Sequence, residues 1–173
     1  MRKRDEILHE GELEAQQRYA GENVWTETAL NGMFKTEFNS ATAIFVERQQ
    51  FFFIATANDK GQCDASFRST EMGSDGIMQP TVKVLSPSKL IFPDYSGNNL
   101  FNSLGNIIVN PNIGMLFIDF RNPMRLRING SAEIIEKSNQ YSEIWSTAHR
   151  YILVTVEQIY WNCTQRIPKL NLK

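Results

Sequence analysis

The sequence predicts a mainly β, α+β domain: one antiparallel sheet curling into a barrel, with helices at its periphery. Three observations predict it. About seven short stretches are rich in aromatic and β-branched residues, the composition of strands. Most are joined by hairpin-length turns such as Asn58-Asp59-Lys60-Gly61 and Arg121-Asn122-Pro123, which suit antiparallel pairing. A single helical crossover interrupts the series, and the remaining helical patterns lie toward the ends.

Taken in order, residues 6–20 read as an amphipathic helix through Ile7, Leu8, Leu13 and Ala15, weakened by Gly11. Asn39-Ser40 opens a second short helix over 40–49. Phe51 to Ala57 is a strand unbroken by Gly or Pro, and Cys63 to Ser69 completes a hairpin with it. Residues 70–80, with Gly73, Gly76 and Pro80, form a loop. Thr81 to Leu85 and Lys89 to Phe92 are strands about Ser86-Pro87-Ser88. After an irregular stretch, Leu100 to Val109 is helical, with Leu100, Leu104, Ile107 and Ile108 on one face, and Asn110-Pro111 ends it. Ile113 to Phe120 and Met124 to Ile135 are longer strands. Ser138 caps a helix carrying Tyr141, Ile144, Trp145 and Ala148, and Tyr151 to Trp161 is the last strand.

Composition limits what such a domain does. A length of 173 residues is one domain, with a helical segment over about 1–49 and the barrel over about 50–165. The net charge is −1 and the pI about 6.1, so there is no basic footprint for nucleic acid. The longest apolar run, Phe51 to Ala57, is strand-sized and far short of a membrane helix. Met1 to Glu6 starts basic but leads into no apolar segment, so no secretory leader is expected. Cys63 and Cys163 lie far apart and outside any C-x-x-C, which fits a reduced, cytoplasmic setting. The sequons at Asn129 and Asn162 are chance matches in that setting. The 19 aromatics, 11 of them Phe, imply either a heavily aromatic core or a planar ligand to cover.

Three stretches could hold chemistry. Between Phe92 and Asn106 a strand runs through Pro93-Asp94-Tyr95-Ser96-Gly97-Asn98-Asn99 into a helix, whose free N–H groups suit an anion, with Asn98, Asn99 and Ser103 as neutral donors. Alternation places Arg125, Arg127 and Asn129 on one strand face, where guanidiniums need solvent, carboxylate or phosphate. Asp64 to Thr70 mixes small polar residues with Phe67 and Arg68, a strand along which a flat heterocycle would find hydrogen bonds and a cation. Each also has a plain structural reading: a capped helix, a solvated sheet face and an edge strand. Dinucleotide and P-loop glycine motifs, H-E-x-x-H and G-x-S-x-G are absent. With two histidines and dispersed cysteines, no metal site is expected, and any reactivity would come from an organic cofactor.

Read as an ordered set, these pieces resemble a known family. Phe53-Ile54-Ala55-Thr56-Ala57, Asp64-Ala65-Ser66-Phe67-Arg68, Phe92-Pro93-Asp94-Tyr95-Ser96-Gly97-Asn98-Asn99, Ser103-Leu104-Gly105-Asn106, Asn110-Pro111 and Arg125-Leu126-Arg127-Ile128-Asn129-Gly130 follow one another as in the pyridoxamine 5'-phosphate oxidase-like, FMN-binding split-barrel flavoproteins. The resemblance spans about residues 10–166.

It implies an antiparallel six-stranded split β-barrel with peripheral helices, paired as a homodimer with FMN at the subunit interface. It implies a flavin-dependent oxidoreductase acting on a small molecule. The alternatives are a flavin storage or sensor protein without turnover, or a binder of deazaflavin or haem. On this resemblance the ring would lie along Ser66, Phe67, Arg68, Phe92, Pro93 and Asp94, with the phosphate near Asn98, Asn99 and Ser103. Arg125, Arg127 and Gln165 match positions that reach the cofactor, across the interface for some. No catalytic acid or base is assigned. The basic pair that the true oxidase carries at the phosphate helix is replaced here by Asn102-Ser103, so Arg68 or Arg125 would have to supply the charge. The tail also lacks the oxidase's Arg-rich, Trp-containing segment, so oxidation of pyridoxamine phosphate is not expected.

Overall fold

The computed structural model describes residues 1–21, 25–137 and 139–170. Ser138, expected as a helix cap, lies outside the described residues. The chain divides into two compact units, Met1–Lys35 and Thr36–Lys173.

In the first unit the expected helix over 6–20 is broken. A 3-10 turn, Arg4–Glu6, precedes α1, Glu10–Tyr19, and α2, Glu27–Met33, follows. The break comes from His9. Its Nδ1 accepts from the amides of Gly11 and Glu12, and the Glu12 carboxylate accepts the His9 amide in return. That reciprocal cap starts the helix at Glu10 and leaves Ile7 and Leu8 free to pack on Leu30.

The second unit opens with α3, Ser40–Glu47, capped by Asn39 accepting from the Thr42 amide at 2.9 Å. Seven strands follow: β1 Phe51–Ala57, β2 Cys63–Ser69, β3 Lys83–Ser86, β4 Lys89–Asp94, β5 Asn112–Asp119, β6 Met124–Glu136 and β7 Arg150–Asn162. Two helices interrupt them, α4 Asn102–Val109 after β4 and α5 Asn139–Ser142 after β6. All neighbours pair antiparallel, in the order β2-β1-β5-β6-β7-β4-β3.

The expected six-stranded barrel is therefore corrected. One sheet holds seven strands, and no ladder joins β2 to β3 among the described residues. The four-residue β3 is one edge of that sheet. Its register against β4 shifts between Val84 and Ser86, an irregularity next to the turn that joins the two strands.

Alternation then builds the core. Phe52 and Ile54 of β1, Met115 and Phe117 of β5, Leu126 and Ile128 of β6, and Val154 and Val156 of β7 point to one side, where Leu104 and Ile107 of α4 cover them. Phe52 stacks on Phe117 at 4.9 Å and meets Phe92 edge-on at 5.3 Å. β4 is buried on both faces: Leu90 and Phe92 enter this core, while Ile91 packs with Trp145, Ala148 and Tyr151 in a second one. The helix expected to run through Ala148 ends at Ser142. Trp145 lies in the second core, where its indole Nε1 donates to the Pro80 carbonyl at 2.6 Å.

β6 and β7 shift register between Asn129 and Gly130. A Cβ built on Gly130 would stand 2.1 Å from the Thr155 carbonyl oxygen, so the close approach of the two backbones requires glycine there. Gly130→Ala is expected to destabilise the domain by about 3 kcal/mol, the upper part of the overpacking range, seen as a lower midpoint of denaturant unfolding. An unchanged midpoint would show that the backbones part freely.

The β5–β6 turn carries a pH-dependent contribution. Burial pushes the Asp119 carboxyl up, but the amides of Asn122 and Arg121, the Asn122 side chain and the Arg121 charge outweigh it and hold the group below its ordinary range. The stabilisation is therefore present above the unfolded carboxylate range and is lost as pH falls through the lower folded value. Asp119→Asn should reduce stability at neutral pH and leave the two proteins closer together at low pH. A difference constant across pH would contradict this.

Candidate functional site

A cavity of about 530 Å³ opens between β2 and the segment that joins β4 to α4. One wall is β2, Asp64 to Ser69, continued through Glu71; the other is Pro93 to Leu104, with Thr81 also lining it. β2 is the terminal strand of the sheet and, among the described residues, pairs only with β1, so its outer backbone edge has unspent donors and acceptors. α4 begins at Asn102 rather than at Leu100 because Phe101 is left-handed, with φ 54°. Asn99, with φ 61°, is left-handed too. Asn tolerates that conformation, but Phe does not do so without cost, and such strain gathers at functional sites. No side chain caps α4.

Of the expected site residues, Ser66, Phe67, Arg68, Pro93, Asp94, Asn98, Asn99 and Ser103 line this cavity. Phe92 does not: it is wholly buried in the main core. Arg125 and Arg127 stand on the outward face of β6, away from this cavity. Arg125 Nη2 donates to the Cys163 carbonyl at 3.1 Å, and exposed Gln165 donates its amide to Cys163 Sγ at 3.4 Å. A single chain thus gathers one part of the expected set and leaves Arg125, Arg127 and Gln165 elsewhere.

The charges of the cavity were only partly foreseen. Arg68 Nη1 donates to Asp94 Oδ1 at 3.1 Å, and Arg150 Nε lies 3.7 Å from Asp94 Oδ2. The Asp94 side chain is 8% exposed, so its carboxylate depends on these partners. Arg68 Nε is buried with no hydrogen-bond partner among the described residues, a donor that a ligand could satisfy. Ser103 Oγ donates to Asp64 Oδ2 at 3.0 Å. Tyr95 Oη donates to Gln79 Oε1 at 3.2 Å. Burial, then the charges of Glu71 and Tyr151, push that phenol well above its ordinary range, so it stays protonated.

Asp64, Glu71 and Arg150 are the residues that sequence reasoning missed. Asp64 stood within the quoted strand motif. Arg150 had no local signal, because its relation to Asp94 is a register pairing between β4 and β7. The described residues hold no group of three His, Cys, Asp or Glu side chains able to share a metal. None of their helices is long and apolar enough to cross a membrane.

The residues present fit an elongated, flat, hydrogen-bonding ligand. The cavity volume is in the usual range for cofactor sites, a free strand edge can pair with a heterocycle, and the buried Arg68 donor lacks an acceptor. For a phosphate the lining is less complete, since Asp64, Glu71 and Asp94 outnumber Arg68.

The fold is shared with HupZ of Group A Streptococcus, at 16% identity and a TM-score of 0.55, over 78% of this chain and 100% of that one. It is shared too with a candidate pyridoxamine 5'-phosphate oxidase of Lactobacillus delbrueckii, at 12% identity and a TM-score of 0.54, over 73% of this chain and 95% of that one. No curated protein matches the sequence. The sequence profile of pyridoxamine 5'-phosphate oxidase matches residues 38–170, from the start of α3 through the last strand, and the chain belongs to that family.

Proposed function

We propose that the cavity binds FMN and that the protein works as a homodimeric flavin oxidoreductase on a small molecule. The observation that carries this reading is the meeting of a free strand edge, the buried unpartnered Arg68 Nε and the strained entrance to α4 around one cavity, in a chain of this family. Ser66, Phe67, Pro93 and Asp94 would hold the ring, and Asn98, Asn99, Ser103 and the Arg68 guanidinium the phosphate end. Bound FMN supplies the electron transfer, so the protein's work is binding, orientation and tuning.

A second copy would complete the site. Phe67 lines the cavity yet is 57% exposed, and it continues into Phe51, Phe53 and Phe120 on the outward face of the sheet. An aromatic surface of that kind is what a subunit interface covers. The Arg125, Arg127 and Gln165 side of a partner could then add the cations that the lining lacks. The free thiols Cys63 and Cys163 suit a reducing compartment such as the cytoplasm.

Purified protein is expected to be yellow, or to take up added FMN, and to sediment at twice its chain mass of 19.9 kDa. A reduced preparation that small acceptors reoxidise supports the enzyme. Flavin that is held but never reoxidised by acceptors supports a storage or sensor role. A deazaflavin or haem spectrum, or no uptake of FMN at all, rejects the cofactor assignment. Arg68→Ala should weaken FMN retention by about 1.5–3 kcal/mol, the value of a hydrogen bond to a charged group. Unchanged affinity would remove Arg68 from the site.

A further inference from the structure

We infer that Arg150 is a positioning residue of the cavity, the charge that keeps Arg68 available to an anionic ligand. The inference rests on the reading of the cavity as the site of a phosphate-bearing cofactor.

Arg150 does not line the cavity, but it touches two residues that do. It begins β7 directly opposite Asp94, the last residue of β4. The His149 amide donates to the Asp94 carbonyl at 2.9 Å and fixes the start of that pairing. The Arg150 guanidinium lies over the Phe101 ring, 5.4 Å from its centroid, and Phe101 is the left-handed residue before α4. One side chain therefore holds both the buried carboxylate and the strained entrance of the helix.

The charge balance gives this contact a consequence for binding. Asp94 faces Arg68 at 3.1 Å and Arg150 at 3.7 Å, so the three groups together carry one positive charge. With Arg150 removed, Asp94 and Arg68 form a neutral pair, and Asp64 and Glu71 are left to dominate the lining. With Asp94 neutralised instead, both guanidiniums are released from it. Arg150 and Asp94 thus act on an anion with opposite sign. A purely structural clasp would make both substitutions harmful in the same direction.

The experiment measures FMN and riboflavin affinities for the wild type, Arg150→Ala, Arg150→Lys and Asp94→Asn. Riboflavin lacks the phosphate and so reports the fold and the ring site alone. Arg150→Ala should weaken FMN about tenfold, as expected for one charge acting across a partly buried site, and leave riboflavin within about twofold. Arg150→Lys should recover most of the loss, because the charge returns although the planar contact with Phe101 does not. Asp94→Asn should tighten FMN relative to riboflavin. Parallel losses of FMN and riboflavin in Arg150→Ala and Asp94→Asn overturn the inference, as does an Arg150→Ala protein with unchanged FMN affinity. If the wild type binds neither flavin, the cofactor reading falls, and inorganic phosphate decides the inference alone. Thermal stabilisation by phosphate in the wild type, lost in Arg150→Ala, upholds it; no phosphate effect in the wild type overturns it.

Discussion

A buried carboxylate with two guanidiniums at the split of the sheet is the constraint on which the cavity depends. The order β2-β1-β5-β6-β7-β4-β3 leaves β2 and β3 as open edges. Among the described residues no backbone ladder joins β2 to β4, but Arg68 on β2 and Asp94 on β4 meet at 3.1 Å. The Asp94 side chain is nine-tenths buried, so losing either cation would leave a charge poorly solvated, which is more costly than the pair is favourable. The link is therefore better seen as fixing the position of β2 than as a source of net stability. It spans the split while leaving the outer edge of β2 free.

That arrangement separates the molecule's apolar and polar work. The interior is closed by Phe52, Phe92 and Phe117 in mutual contact, with Leu104 and Ile107 of α4 lying over them. The same helix presents Ser103 to Asp64 on β2 and Asn106 to Thr56 on β1. α4 thus seals the core with one face and joins the polar wall of the cavity with another. Its late start, forced by left-handed Phe101, keeps Leu100 and Phe101 in the cavity wall rather than in the helix.

Legibility in the sequence followed the range of the physical signal. β2, β5, β6 and β7 were readable within about a residue, because strand periodicity and turn residues are local. Asn39 as a cap was readable for the same reason. His9 was not, since a histidine accepting two amides at a helix start has no strong sequence signature. The helix expected through Ala148 stops at Ser142, although Trp145 and Ala148, apolar at helical spacing, are both buried in the second core. Phe92 was drawn into the candidate site by its place in the motif, but alternation along β4 sends it inward. Arg68 and Asp94 are both candidate residues in the sequence, but their ion pair, 26 residues apart, has no local signal.

The charge of the cavity is where the proposed homodimer has a physical consequence. A flavin phosphate brings more than one negative charge, and the lining of one chain offers Arg68 against Asp64, Glu71 and Asp94. Ser103, the hydroxyl nearest in role to a phosphate donor, already donates to Asp64. The neutral donors Asn98 and Asn99 and the uncapped start of α4 reduce the mismatch without removing it. Two sources of positive charge remain. Arg150 lies behind Asp94 and acts through it. Arg125 and Arg127 lie on the outward face of β6, where Arg125 Nε is buried without a partner among the described residues. A guanidinium left partly unsatisfied on one face, and a cavity short of cations on another, are complementary defects. The proposed two-fold pairing of the chain would satisfy both.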